Sequence, residues 1–329
     1  MNAEHETIFY DQFGTSTNQL MLVIENLRQR VLSACGPDGE AWLSGLPSLV
    51  GEVAAHLGVS RVGRPHSGTY SFVIDADTAD GTQAILKLVP PFPDRAHEFE
   101  VLSRAKGRGY VGVLAADPAR GAVLLQKLTR DPEFYNGGPE RDEEATRAVA
   151  RCIRNKWRGG PEDLNDFPSV GTWARDFHRV TETSAPPVGY SKDEIVKAYR
   201  TFQELLDHSG ESVVLHGDLH HGNVFLDDAG EPVAIDPKGV AGPLEYEVGA
   251  LMRNPGPDLL SWPSPVATLR RRAEIFAEEL DIAPAVTLKW SVVQLALSAV
   301  WASIDADQEW ARHAAALKPL MTAAADEAT

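Results

Sequence analysis

The chain is poor in cysteine and short of basic residues. Its 329 residues include only Cys35 and Cys152, which do not form a CxxC pair. We therefore expect no disulfide framework and no thiolate metal site, and a reducing, cytoplasmic compartment is favoured. Lys and Arg number 31 against 47 Asp and Glu, a formal charge of −16. Because binding along a phosphate backbone needs a basic face, we expect no nucleic-acid partner.

Targeting signals and long apolar runs are also missing. Residues 1–10 include two glutamates and no basic-then-apolar stretch, so no secretory signal is expected. The most apolar run, residues 291–304, is interrupted by three polar residues and is too short to cross a bilayer. The interpretation we favour for this run is a buried helix, and we expect no membrane partner.

The first third of the chain contains helical and then β-type patterns. Hydrophobic residues make up 43% of the chain, enough for a packed core in one large or two modest domains. Helical periodicity predicts helices over residues 18–33 and 42–57, separated by Gly36, Pro37 and Gly39. Strands are predicted over residues 70–74 and 84–89, joined at Asp80-Gly81, and again over 121–126, with a helix ending near residue 105 between them.

The rest of the chain is predicted to be mainly helical. The pattern predicts five helices and one strand pair in the middle. The helices cover residues 143–153, 192–206, 266–280, 288–304 and 309–325. A charged, Gly- and Pro-rich stretch after residue 128 suits a lobe boundary, which we place after Gln126. The predicted fold class is α+β, with a small β-rich lobe over residues 1–126 and a larger helical lobe over 127–329.

One segment combines two apolar runs with a polar loop and a hairpin. Residues 213–226 include the loop His216-Gly-Asp-Leu-His-His-Gly-Asn, and a turn leads to a strand that ends at Asp236. The hairpin arms should bring Asn223 near Asp236. Asp218 precedes Asn223 by five residues, the spacing found in the kinase catalytic loop, where the Asp accepts a hydroxyl proton and the Asn holds Mg²⁺. Asp236 then supplies a second oxygen ligand.

The histidines of this loop support a competing interpretation. His216, His220 and His221 together with Asp218 could bind Zn²⁺ for hydrolysis. That hypothesis leaves Asn223, Asp236 and the first lobe unexplained, and we give it less weight.

A lysine and a glutamate in the first lobe match what a kinase needs upstream. Lys87 lies within an otherwise apolar strand, and burying its ammonium group costs free energy unless that face of the strand opens on a cleft. The alternative is that Lys87 lies on an edge strand and its side chain reaches solvent. Glu98 shares the predicted inward helix face with Leu102 and Ala105, so we prefer it to Glu100 as the partner of Lys87.

Two further segments carry weaker signals for a nucleotide. Ser67 and Gly68 lie before the first predicted strand, in a stretch with small hydroxyl side chains that could fold over phosphates. Gln126 and Leu128 at the lobe boundary could present backbone groups to an adenine edge. A plain interlobe link is an equally good interpretation of these side chains.

Several motifs occur in order along the chain: Gly39-Glu-Ala-Trp-Leu-Ser-Gly-Leu-Pro47, Ala84-Ile-Leu-Lys-Leu88, Gly107-Arg-Gly109, the loop of residues 216–223, Ile235-Asp-Pro-Lys-Gly239 and Arg253-Asn-Pro255. Together, from about residue 42 to 305, they resemble the aminoglycoside phosphotransferase superfamily, and within it the streptomycin 6-phosphotransferase and hydroxyurea phosphotransferase branch. At the lobe boundary the chain has Gln126-Lys127-Leu128 where many relatives have Glu-Arg-Leu, and Glu247 stands where many have Asp.

This resemblance implies a bilobal, protein-kinase-like fold and ATP-dependent transfer of a γ-phosphoryl group to a small-molecule hydroxyl. Residues 1–126 would form the nucleotide-binding lobe and 127–329 the catalytic and acceptor-binding lobe. Asp218 would be the catalytic base, Asn223 and Asp236 the Mg²⁺ ligands, and Lys87 the phosphate-binding lysine with Glu98 as its partner. Lys238 matches the branch; it could meet phosphate or cap the loop.

The acceptor stays open between several small molecules. Acidic residues late in the chain, Asp305 among them, could attract guanidinium or ammonium groups, although a solvated helix end is the simpler interpretation. A streptomycin-like aminoglycoside suits the negative charge of the chain. Hydroxyurea, an amino sugar or another metabolite remain alternative acceptors. A nucleotide-binding module that has lost catalysis remains an alternative function. The preference for ATP or GTP and the oligomeric state stay open.

Overall fold

The computed structural model describes residues 17–66, 68, 70–92, 95–128, 138–183, 185–256 and 258–326. The chain forms two compact units. The first unit comprises residues 1–107 and 111–128, and the second comprises residues 108–110 and 129–329. The division of labour into a nucleotide lobe and an acceptor lobe stays a prediction.

A five-stranded antiparallel sheet forms the centre of the first unit, in the order β1-β2-β3-β5-β4. The strands are β1 (Val59–His66), β2 (Phe72–Thr78), β3 (Gln83–Leu88), β4 (Val113–Asp117) and β5 (Ala122–Gln126). The β2–β3 hairpin turns at Asp80-Gly81, where Gly81 has a positive φ of 85° that favours glycine. The predicted hairpin and third strand are confirmed, whereas β1 and β4 are additional edge strands.

A long helical segment covers one face of this sheet. Helix α1 (Thr17–His56) is interrupted at Gly36, whose φ of 53° and ψ of −132° are not helical, so two helical parts result as predicted. Apolar residues of α1, such as Leu27, Leu46 and Val53, pack on alternate residues of the sheet, such as Leu86. Alternation of side chains along a strand leaves Lys87 on the opposite face, toward helix α2 (Arg95–Ala105).

The second unit is mainly helical, as predicted. Its α-helices are α3 (Asp142–Asn155), α4 (Val170–Trp173), α5 (Asp176–Thr183), α6 (Lys192–His208), α7 (Gly249–Met252), α8 (Pro265–Leu280), α9 (Pro284–Ile304) and α10 (Gln308–Asp326). Helix α6 begins with a capping box, in which Ser191 and Glu194 satisfy each other's backbone N–H groups. Helix α9 is long and apolar enough to cross a membrane, but 72% of its most apolar window is buried inside the protein. It is therefore a core helix.

Two small antiparallel sheets lie among these helices. The strands are β6 (Ser212–Leu215), β7 (Val224–Leu226), β8 (Pro232–Ala234) and β9 (Val240–Pro243). Strand β6 pairs with β9 and β7 pairs with β8, so the single predicted strand pair is two pairs. The loop between β6 and β7 contains Asp218, and the end of the β7–β8 hairpin contains Asp236.

Candidate active site

The loop of residues 216–223 is fixed by its own hydrogen bonds. Strand β6 ends at Leu215, a single 3-10 turn spans His221–Asn223, and β7 follows at once. The side-chain amide of Asn223 donates to the backbone oxygen of Asp218 at 2.9 Å. Gly217 has a φ of 83°, and a Cβ there would lie 2.9 Å from the Trp173 ring, so only glycine fits before Asp218. The loop therefore holds Asp218 and Asn223 in a defined relation.

Asn223 and Asp236 lie side by side at the open end of the β7–β8 hairpin. Val224 pairs with Ala234, and the backbone N–H of Ile235 donates to the backbone carbonyl oxygen of Asn223 at 3.0 Å. Asp236, the next residue, has a φ of 57°, and both polar residues are partly exposed. The hairpin thus places Asn223 and Asp236 at the same end of its two strands, and their joint use as metal ligands stays a prediction.

The side-chain oxygens of Asn223 and Asp236 are suitable ligands for Mg²⁺. Because the side-chain nitrogen of Asn223 donates a hydrogen bond to the backbone oxygen of Asp218, the side-chain oxygen of Asn223 is the atom left to act as a ligand. Amide and carboxylate oxygens are ligands that Mg²⁺ prefers, and a nucleotide's phosphates and water usually complete its coordination.

Asp218 is held as an anion by its surroundings. Its Oδ1 lies 2.9 Å from Nη2 of Arg253, and 29% of the Asp218 side chain is exposed. Burial alone would raise the pKa of Asp218, but His220, Arg253 and Lys238 outweigh it and bring that pKa to about 2. Asp218 is therefore fully ionised at neutral pH.

A buried glutamate supports the loop from behind. The two carboxylate oxygens of Glu247 accept the backbone N–H groups of His216 and Gly217, each at 2.8 Å. Lys156 Nζ lies 2.9 Å from the same carboxylate, and both side chains are completely buried. Burial would raise the pKa of Glu247, yet Lys156 and His216 hold it below its ordinary value. Both carboxylate oxygens of Glu247 are thus engaged in hydrogen bonds.

The three loop histidines have different surroundings, and neither ring nitrogen of His221 makes a hydrogen bond to another described residue. His216 donates from Nε2 to the Ile235 oxygen at 2.6 Å and accepts the Asp218 N–H on Nδ1 at 3.2 Å. His220 Nδ1 accepts the N–H of Gly222, and His221 points toward Asp142. Burial lowers the pKa of all three. Within the described ranges no three His, Cys, Asp or Glu side chains could hold a metal together, so the zinc hypothesis loses its support.

Lys238 lies beside the same loop. Its backbone N–H donates to the His216 oxygen at 2.8 Å, so it closes the loop as one of the two sequence hypotheses expected. Its exposed side chain adds positive charge that helps to lower the pKa of Asp218.

In the first unit, Lys87 pairs with Glu98. Lys87 Nζ and Glu98 Oε1 are 2.5 Å apart, and the two side chains are 5% and 12% exposed. Glu100, the alternative partner, binds Arg104 one turn later on the helix. The structure therefore brings together the pair that the helical stripe favoured.

The other nucleotide candidates of the first unit are only partly described. A Cβ on Gly68 would overlap the Ser71 oxygen, which explains the glycine; Ser67 lies outside the described residues. The N–H of Gln126 donates to the Gly112 oxygen at 2.8 Å, so this donor is not available to a ligand. Leu128 is partly exposed at the end of the unit.

Asp305 lies at the exposed end of α9 in a mixed aromatic and acidic region. Burial and the neighbouring Asp307 raise its pKa. One turn earlier, Trp301 donates from Nε1 to Asp176 at 2.9 Å, and its ring packs edge-on against Trp173 at 5.6 Å. Since Trp173 also packs against Gly217, aromatic side chains connect the region of Asp305 with the residue before Asp218.

Sequence reasoning missed the interactions of Arg253 and Lys156. Arg253 belongs to the Arg-Asn-Pro motif that carries part of the family resemblance, so a signal for its importance was present but not for its partner. Lys156 lies in no motif, and nothing local indicates that it meets Glu247.

Comparisons with known proteins identify the family of the chain. Residues 56–306 match the model of the aminoglycoside/hydroxyurea antibiotic resistance kinase family. The chain is 28% identical to streptomycin 6-kinase of Streptomyces glaucescens over 87% of its length and 92% of that protein. It is 30% identical to hydroxyurea phosphotransferase of Kitasatospora aureofaciens over 65% of its length and 62% of that protein.

Solved structures show the same fold. A choline/ethanolamine kinase family protein from Mesorhizobium loti superposes with a TM-score of 0.59 at 18% identity, covering 85% of this chain and 99% of that one. The protein-kinase-like fold is thereby confirmed. Since the family model matches well over half of the sequence, the chain belongs to the aminoglycoside/hydroxyurea antibiotic resistance kinases and is a phosphotransferase acting on a small molecule.

Proposed function

We propose that the chain transfers the γ-phosphoryl group of ATP to a hydroxyl of a streptomycin-like aminoglycoside. The observation that carries the proposal is Asp218, an ionised carboxylate held by Arg253 in the loop that also positions Asn223. The acceptor oxygen bonds to the γ-phosphorus while the bond from that phosphorus to the β–γ bridging oxygen breaks. ADP leaves, and the hydroxyl proton passes to Asp218.

Asp218 acts by orientation more than by basicity. With Oδ1 held by Arg253, Oδ2 is the oxygen that we assign to the acceptor hydroxyl. A carboxylate with a pKa of about 2 is a weak base. It suits a loose transition state, in which the proton moves late and the catalyst mainly holds the nucleophile in line.

The first unit would bind the nucleotide. Lys87, oriented by Glu98, would offset charge on the α- and β-phosphates, and the sequence stretch with Ser67 and Gly68 would supply further contacts to them. The carbonyl of Gln126 and backbone groups of Leu128 would meet the base, since the Gln126 N–H is already used.

Asn223 and Asp236 would hold Mg²⁺ through their side-chain oxygens. When bound, this cation neutralises charge that develops on the phosphates. Asn223 also maintains the position of Asp218 through its hydrogen bond to the backbone.

The acceptor is expected to be cationic. The charge of −16 attracts cations over long range, and Asp305 and Asp176 add carboxylates beside the exposed edge of Trp301. Kinases similar to this chain act on streptomycin, and a similar phosphotransferase acts on hydroxyurea, which is therefore the second candidate. We propose a cytoplasmic location, since Cys35 and Cys152 are both unpaired thiols.

An acceptor panel tests the proposal. ADP release would be measured with ATP or GTP, with and without Mg²⁺, over streptomycin, other aminoglycosides, hydroxyurea and amino sugars, and the product would be identified by phosphorus NMR. We expect Mg²⁺-dependent turnover with ATP and streptomycin. Turnover with hydroxyurea or an amino sugar but not with streptomycin would identify that compound as the acceptor instead. ATP binding without turnover of any acceptor would favour a nucleotide-binding module that has lost catalysis.

A further inference from the structure

Glu247 contacts the two residues that directly precede Asp218. Its Oε2 accepts the N–H of His216 and its Oε1 accepts the N–H of Gly217, both at 2.8 Å. Two hydrogen bonds to consecutive amides fix the plane and direction of the chain at this point. Asp218 is the next residue, so any shift of the carboxylate would move the start of the loop that positions it.

The negative charge of Glu247 depends on Lys156. Both side chains are 0% exposed, and Lys156 Nζ lies 2.9 Å from Glu247 Oε2. A buried carboxylate without a partner takes up a proton, and a protonated carboxyl group no longer accepts two hydrogen bonds in this geometry. Lys156 therefore keeps both Glu247 oxygens available as acceptors.

The Gly-Arg-Gly element of residues 107–109 sets the position of Lys156. Gly109 has a φ of 68°, and a Cβ there would overlap the Cα of Lys156. The N–H of Trp157 donates to the Arg108 oxygen at 3.0 Å, and the Gly109 oxygen accepts the N–H of Ala234 at 3.0 Å. This element therefore joins the end of α3 to the β7–β8 hairpin by backbone contact, which only glycine permits.

We propose that Lys156 is a positioning residue for phosphoryl transfer. Seated against Gly109, it keeps Glu247 ionised, and Glu247 in turn holds the backbone of His216 and Gly217 so that Asp218 faces the acceptor. This inference rests on the role of Asp218 proposed above, and it adds a function for the Gly-Arg-Gly motif. Because the Lys156 side chain is completely buried, it would act through Glu247 and not by touching nucleotide or acceptor.

Three variants and a control test the proposal. Lys156→Met removes the charge, Glu247→Gln removes one acceptor, and the double variant leaves no buried charge unpaired, which favours folding. Ile195→Ala, a core change in α6, serves as the matched control because Ile195 is completely buried outside this network. Hydrogen exchange of residues 214–219 is compared with that of residues 292–300 in the core of α9, and kcat and KM are measured for ATP.

We expect exchange at residues 214–219 to accelerate beyond exchange at 292–300 in all three variants, whereas Ile195→Ala accelerates both segments equally. We expect kcat to fall about 10²-fold, as small misplacements of a reacting group do, with KM for ATP changed less than about threefold. The double variant should be no worse than the poorer single variant, since all act on the same two amides.

The proposal is overturned if exchange at residues 214–219 follows that of 292–300, or if kcat stays within about twofold of the wild type. The exchange result does not depend on turnover. Loss of activity in Asp218→Asn with normal kcat in Lys156→Met would therefore reject this inference and leave the proposed function intact.

Discussion

Among the described residues each unit contains a lysine–glutamate pair, and the two pairs differ in exposure: the pair of the first unit is partly buried and that of the second is fully buried. Lys87 and Glu98 are joined by a 2.5 Å contact between a strand and a helix, and both keep some exposure, 5% and 12%. Lys156 and Glu247 are fully enclosed, and the glutamate also binds two backbone amides. We propose that Lys87 of the first pair binds nucleotide, whereas the fully enclosed second pair supports the backbone that precedes Asp218.

Stability should show the largest difference between the two pairs. Removing one partner of an enclosed pair leaves a buried charge, so Lys156→Met should lower the free energy of unfolding by about 3–5 kcal/mol. Lys87→Met should cost less, about 1 kcal/mol, because water can reach Glu98. Urea unfolding followed by circular dichroism measures both. Equal losses would remove the contrast between an open and a closed pair.

Nucleotide use should depend on the open pair. Glu98→Gln weakens the charge-assisted contact that orients Lys87, so kcat/KM for ATP should fall about 10-fold to 100-fold, or about 1.4–2.7 kcal/mol. Glu100→Gln is the matched control, since Glu100 binds only Arg104 in the described contacts. Steady-state kinetics at saturating acceptor would decide, and a similar loss in both variants would show that the helix and not the pair is responsible.

Much of this arrangement is local and could therefore be predicted. The hairpin that places Asp236 near Asn223 follows from turn chemistry, and the helix face of Glu98 follows from periodicity. The spacing of Asp218 and Asn223 is interpreted by its match to the kinase catalytic loop. Edge strand β1 was not predicted because it contains Gly63 and Pro65 and its register is irregular, so the alternation of apolar and polar side chains is broken.

Long-range charge pairs could not be predicted in this way. Lys156 meets Glu247, and Arg253 meets Asp218, through the packing of α3 and α7 around the loop, which no local pattern encodes. The Arg-Asn-Pro motif marked Arg253 as unusual without indicating its partner. Charges that are paired across the chain become visible only in the folded structure.

The influence of Arg253 on the pKa of Asp218 can be tested by the pH dependence of kcat. In the wild type the pKa of Asp218 is about 2, so Asp218 causes no acid limb in kcat above roughly pH 3. Arg253→Gln removes one of the positive charges that oppose burial, while His220 and Lys238 remain, so the pKa of Asp218 and the acid limb should move upward, by about one pH unit for each 1.36 kcal/mol of lost interaction. A pH–rate profile with an unmoved limb would show that Arg253 does not control Asp218.

An exposed pair should show the smallest effect. Glu194 has a pKa of about 2, lowered mainly by Lys318, and this contribution to stability is present above the ordinary pKa of 4.5 and lost as pH falls through 2. Lys318→Met should cost less than about 1 kcal/mol at pH 7, because solvent screens the pair, and even less near pH 2. Urea titrations at the two pH values check this, and a cost that grows on acidification would contradict it.

We propose that Asp218 orients the acceptor for phosphoryl transfer, and Asp218→Asn removes the charge of this side chain while keeping its size. ADP release and ATP binding by calorimetry would be measured on the same preparation, with the melting temperature as a check on folding. We predict that kcat falls by about 10²-fold to 10⁴-fold while the Kd for ATP stays within about threefold. A well-folded variant with near-normal turnover would contradict the account.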